Sequence, residues 1–127
     1  MTIAFWCVLA AGLMPFVWTA AAKFSTGEFG ARENLNPREY KETLTGVRRR
    51  AVWAEQNAFE AFPFFAASVI IATMAGAPAG RIDLLAGVYI VLRILHGVFY
   101  LLNQGLARSL VWFSSVGCVI ALFVAGA

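Results

Sequence analysis

Four apolar stretches, each about as long as a membrane span, follow one another along this chain, and two of them carry an ionisable residue in mid-stretch. They run from Thr2 to Ala22, Val47 to Ala75, Ile82 to Leu102 and Leu106 to Gly126. A helix rises about 1.5 Å per residue, so about 20 apolar residues cross a hydrocarbon layer about 30 Å thick. Glu60 lies in the second stretch and Arg93 in the third. An ionised side chain near the bilayer centre costs roughly 3 kcal/mol on insertion scales, so such groups face a bundle interior or a polar cavity and pair there. The expected fold is therefore an all-α membrane protein, a bundle of four transmembrane helices with a polar site between them.

Composition agrees. Apolar residues make up 61% of the 127 and charged residues 13%, with a mean hydropathy of +0.74. Soluble domains have about 45–50% apolar and about 25% charged residues. A chain this short does not hide so much apolar surface in one water-soluble core. Cys7 and Cys118 lie in apolar spans without a ligand-like spacing, so they read as ordinary buried thiols, with no disulfide framework and no metal site. No nucleotide or nucleic-acid motif is present. The Ala20-Ala21-Ala22 triplet resembles a signal-peptide cleavage site, but the segment has no basic n-region and its apolar run is too long, so the reading keeps it as a span.

The formal charge of +3 is clustered. Lys23, Arg32, Arg38 and Lys41 occupy the polar loop from Lys23 to Gly46, and Arg48, Arg49 and Arg50 follow at once. The other turns are short, Gly76 to Arg81 and Asn103 to Gly105. Basic residues at span ends favour the cytoplasmic side. This places the first loop and the Arg108 end inside and both termini outside, against the single opposing Arg81. The arginine triplet reads as an orientation signal.

Helical spacing gathers the polar residues. Arg50, Trp53, Asn57 and Glu60 recur at steps of three or four, and so do Arg93, His96 and Tyr100, so each set lies along one helix face. Both stripes start from the loop side and reach similar depths. A Glu60–Arg93 ion pair is the simplest inference, with Asn57, His96, Tyr100 and Arg108 left nearer the surface for a ligand. Beside this stand plainer readings: polar pairs holding helices together, Trp53 and Tyr100 as interfacial anchors, Arg108 snorkelling to headgroups, and Glu55 at the interface off the stripe. Phe59, Phe62, Phe64 and Phe65 read as packing surface, and Pro15 and Pro63 as kinks.

Taken in order, these residues resemble a known family. Asn36-Pro37-Arg38-Glu39, then Arg50-Ala-Val-Trp-Ala-Glu-Gln-Asn57-Ala-Phe-Glu60-Ala-Phe-Pro63, is similar to the bacterial branch of the MAPEG family, membrane-associated proteins of eicosanoid and glutathione metabolism. Arg93-Ile-Leu-His96-Gly-Val-Phe-Tyr100 matches its Arg-x-x-His-x-x-x-Tyr stretch, and Arg108-Ser109 resembles its Arg-Ser at the start of helix four. The likeness covers nearly the whole chain, as one four-helix membrane domain over 1–127. It implies a homotrimer, in a bacterial inner membrane, with glutathione as co-substrate bound between subunits near the cytoplasmic face. By resemblance, Asn57, Glu60, Arg93 and Tyr100 hold glutathione, His96 lines the pocket, Arg108 stabilises the thiolate, and Ser109 hydrogen-bonds the thiol. The active mammalian enzymes have a basic residue within a turn of the helix-two asparagine. Here Gln56 and Ala58 flank it, and Arg38 or another loop arginine is the candidate substitute.

The activity implied is a glutathione transferase acting on hydrophobic electrophiles, extending to lipid hydroperoxides. The alternative is a non-catalytic scaffold of the same fold that binds lipid or a partner. A small multidrug exporter fits poorly, because such proteins carry a coupling glutamate in their first helix and none is present here.

Overall fold

A computed structural model describes all 127 residues. Four long helices form the bundle: α1 (Ile3–Phe24), α3 (Gly46–Met74), α4 (Ala79–Leu101) and α5 (Gly105–Ala125), all long and apolar enough to cross a membrane. A short helix, α2 (Pro37–Thr43), and a 3₁₀ turn (Glu33–Leu35) lie in the first loop. There is no strand. The expected spans are met within a few residues, and Pro15 and Pro63 both sit inside unbroken helices.

The short turns follow from two left-handed residues. Gly76 ends α3 at φ 78°, with its N–H bonded to the Thr73 carbonyl and that of Ala77 to Ala72. Asn103 ends α4 at φ 57° with the equivalent pair, to Tyr100 and Phe99. Both are Schellman caps, which satisfy end carbonyls and reverse the chain in a few residues. Asparagine is one of the few non-glycine residues that adopt this conformation readily. At the far end of the bundle, Asp83 accepts a 2.8 Å hydrogen bond from the Ala4 N–H, so α4 caps the start of α1 across the fold.

Alanine sets the helix spacing. Ala4, Ala11, Ala22, Ala51, Ala54, Ala58, Ala72 and Ala86 are all buried, and small residues let membrane helices approach closely where no hydrophobic force drives them together. Phe65, Val69 and Leu122 fill the main core, and Met14 and Trp18 a second cluster against Ala54 and Ala58. The large apolar side chains Leu9, Leu13, Phe16, Leu84, Val91 and Phe113 point outward, as a bilayer solvent permits.

The loop end is held by polar contacts that sequence did not suggest. Arg48 donates to the Ala22 carbonyl at 2.8 Å, to Glu28 at 2.8 Å and to the Tyr40 hydroxyl. Arg49 donates to the Lys41 carbonyl at 2.9 Å, and Arg50 twice to Leu101, at 3.2 and 3.1 Å. The triplet thus ties the start of α3 to the ends of α1, α2 and α4. Glu55, expected at the interface, is instead buried and takes both its oxygens to Lys41 Nζ at 2.9 Å. Its position one step off the polar stripe turns it inward, beneath the folded loop.

One position tests the packing directly. A Cβ on Gly97 would lie 2.0 Å from Cζ2 of Trp18, a ring too buried to swing away. Overpacking of this kind costs typically about 1–3 kcal/mol. Gly97→Ala is expected to lower the unfolding temperature in detergent, and Trp18→Leu added to it to restore part of the loss.

Candidate functional site

Helix α4 supplies a stripe longer than the one expected: Tyr89, Arg93, His96 and Tyr100 fall at steps of four, three and four. Tyr89 could have been found by continuing that spacing one turn back. Its ring stacks on Phe65 at 3.8 Å, with 6° between the planes. Tyr89 and Arg93, with Asn57, Glu60, Ala61 and Phe64 of α3 and Trp112, Ser115, Val116 and Val119 of α5, line a cavity of about 190 Å³. Counting along the helices from the loop end, Asn57 and Arg93 both lie about two to three turns in. Ser115 and Trp112 had no signal in the sequence, because α5 is apolar around them. The Ser115 hydroxyl is satisfied locally by the Trp112 carbonyl at 2.7 Å.

The expected Glu60–Arg93 ion pair does not form. Arg93, only 3% exposed, donates from Nη2 to Asn57 Oδ1 at 2.6 Å, and its Nη1 is buried without a partner. Glu60 is exposed, and the ion pairs of the chain are Lys41–Glu55 and Arg48–Glu28. The reason is helical phase. At about 100° per residue, Glu60 stands roughly 60° round the helix from Asn57. Asn57 therefore faces α4, and Glu60 turns outward while still lining the cavity. A carboxylate and an arginine share this space without neutralising each other.

The remaining candidates form a shallower group. His96 is buried and edge-on to Tyr100, their ring centroids 5.3 Å apart, and it makes no hydrogen bond. Tyr100 lies 6.5 Å from Trp53 of α3 and carries the Arg108 guanidinium over its ring at 4.4 Å. Arg108 is half-buried and has no acidic partner, and Ser109 beside it makes no hydrogen bond. Arg38 stands exposed on α2 among Leu35, Asn36, Pro37 and Glu39, and the structure does not bring it to the others.

The structure has the four long helices expected from the resemblance. The family model for the MAPEG family matches residues 3–127. The chain belongs to the MAPEG family. It is therefore an integral membrane protein of a glutathione-related family. Neither a curated protein nor a solved structure matches the chain. Within this MAPEG fold, the sequence-derived site resolves into a deep group (Asn57, Glu60, Arg93) and a shallow one (His96, Tyr100, Arg108).

The Arg93–Asn57 contact is expected to carry a measurable coupling. Interhelical hydrogen bonds in membranes average about 0.6 kcal/mol and reach about 1.7. A double-mutant cycle of Asn57→Ala and Arg93→Met, read by unfolding in detergent, is expected to give a coupling within that range. The same cycle between Glu60→Gln and Arg93→Met is expected to give nearly none.

Proposed function

We propose that this chain is a glutathione-dependent membrane enzyme that conjugates hydrophobic electrophiles. The observation that carries the reading is the shared cavity in which Glu60 and Arg93 remain unpaired with each other. A ligand with both an ammonium group and carboxylates suits such a cavity, and glutathione has both. Asn57 and Arg93 would bind and orient its polar backbone, and Glu60 its ammonium group. His96 and Tyr100 would line the approach from the loop side, with Arg108 at the thiol end and Ser109 within reach of the sulfur.

Glutathione, when bound, supplies the nucleophile as its thiolate. Free thiols titrate near about 8.5, and a neighbouring cation lowers that value into the working range. Arg108 suits this role because arginine stays protonated, and because no carboxylate competes for its charge. Tyr100 positions the guanidinium by stacking beneath it. Phe64, Trp112, Val116 and Val119 give the cavity an apolar side on which an electrophile dissolved in the membrane would be held beside the sulfur, so reducing the entropic barrier. In the conjugation, sulfur bonds to the electrophilic carbon and the displaced group leaves with its electron pair. The separation of the shallow and deep groups suits a site completed by a neighbouring subunit of a homotrimer. With a lipid hydroperoxide, the same thiolate would attack the terminal peroxide oxygen, the O–O bond breaking to release the lipid alcohol, and a second glutathione would convert the resulting sulfenic acid to the disulfide with loss of water. The first loop, with the shallow group beside it, would face the cytoplasm.

A second reading has an observation of its own. The Arg93–Asn57 bond joins α3 to α4, as expected of a non-catalytic scaffold that binds lipid or a partner. Titration of the detergent-solubilised protein with glutathione, following thiolate absorbance and binding heat, separates the two. Saturable binding with thiolate formation is expected, and Arg108→Ala is expected to abolish the thiolate signal. No binding at millimolar glutathione, in folded and oligomeric protein, would count against the enzyme reading and favour the scaffold.

A further inference from the structure

The arginine triplet contains one member whose contacts do not use it up. Arg48 engages all three of its nitrogens, and Arg50 puts two onto the Leu101 carbonyl. Arg49 gives only Nη1, to the Lys41 carbonyl, and keeps Nε and Nη2 without a partner. Neither Arg49 nor Arg108 takes part in an ion pair. The Arg49 guanidinium lies over the ring of Trp53 at 5.7 Å, one helical turn further along α3. Trp53 is 6.5 Å from Tyr100, and Tyr100 carries Arg108 at 4.4 Å.

A ladder therefore crosses the mouth of the site from α3 to α5: cation, indole, phenol, cation. Two arginines stand at its ends and no carboxylate lies within it. A single compact anion would meet only one end. A ligand with two separated negative groups would meet both, the segment between those groups lying along the two rings. Trp53, at 42% exposure, presents a face for that contact.

We infer that Arg49, positioned by Trp53, binds a carboxylate of glutathione while Arg108 holds the thiolate at the other end of the ladder. This rests on the reading of the site as a glutathione site. Arg49 is a binding residue and Trp53 a positioning residue. Planar guanidinium suits the task, because it can stack on the indole and still offer in-plane donors to a carboxylate.

The test compares glutathione with its diethyl ester, in which both carboxylates are blocked, on the full-length protein in detergent. Arg49→Gln is expected to weaken glutathione binding roughly tenfold, as for one charge-assisted hydrogen-bonded contact. It is expected to leave the weaker binding of the diester unchanged. Trp53→Leu should reproduce the Arg49→Gln pattern, and Trp53→Phe should rescue it. Arg32→Ala, in an exposed part of the loop, serves as the charge control and should change neither. Equal weakening of both ligands by Arg49→Gln would show that Arg49 only anchors the loop through Lys41, and would overturn the inference. Unchanged binding of both would overturn it as well. In either case, thiolate formation that still depends on Arg108 leaves the glutathione reading standing. Wild-type protein that binds neither ligand overturns both readings together.

Discussion

Arg48, Arg49 and Arg50 hold one end of the bundle closed, and the positions of the polar side chains depend on it. The last carbonyls of a helix have no partner within it, and at a membrane boundary they need donors. Here consecutive side chains of a single helix start supply them: Arg48 to the end of α1, Arg49 to α2, Arg50 to α4. Successive residues point about 100° apart around a helix axis, so a triplet reaches three directions at once. The Arg50–Leu101 contact fixes the depth of α4 relative to α3. That depth sets Arg93 level with Asn57 and brings Tyr100 beside Trp53. The Asp83 contact with Ala4 at the opposite end of α4 fixes its other limit.

Arg93 shows how burial between helices turns a modest contact into a useful one. A fully paired arginine would be spent on holding helices together. Arg93 is steadied by one short bond to a neutral amide, which orients the guanidinium without cancelling its charge. Glu60, turned outward by its place on α3, keeps its own charge free. Asn57 thus separates two opposite charges that simple pairing would have joined. A buried donor left without a partner is expensive, and Arg93 Nη1 is such a donor. A ligand that approaches with acceptors recovers part of that cost, which favours occupancy of the cavity.

The sequence was most legible where the bilayer dictates the answer. Span number and boundaries follow from length and hydropathy, and the tight turns from Gly76 and Asn103. The MAPEG assignment rested on the order and spacing of Asn57, Glu60, Pro63, Arg93, His96, Tyr100 and Arg108. Contacts between helices were harder to read. Spacing placed Glu60 and Asn57 on one stripe, but a stripe spans a wide arc, and only the packing of α3 on α4 decides which of them meets Arg93. The same limit hid the inward turn of Glu55, because its partner Lys41 lies in a loop whose fold no periodicity announces. The arginine triplet carried two messages in one composition: charge at a span end, and hydrogen-bond donors for three neighbouring segments. Only the folded arrangement of α1, α2 and α4 around the triplet separates the two.

The two groups of polar residues differ in depth, and on the proposed transferase reading that difference bears on how a water-soluble thiol and a lipid-soluble electrophile would come together. The shallow group, His96, Tyr100 and Arg108 with Trp53 beside it, stands at the loop end, where on the proposed reading a charged peptide would arrive from water. The deep group lies where charge is costly, and its cavity is bounded on one side by Phe64, Trp112, Val116 and Val119. A small elongated polar ligand can enter from the first and place a polar terminus in the second. On the same reading, an apolar acceptor would partition in from the lipid side without crossing the loop end. Arg108, at the first turn of α5, stands between these routes, above the apolar residues of its own helix. On the proposed reading, a cation there would sit at the boundary between the ligand's charged body and the membrane-dissolved acceptor, where a thiolate would have to be stabilised for both partners to reach it.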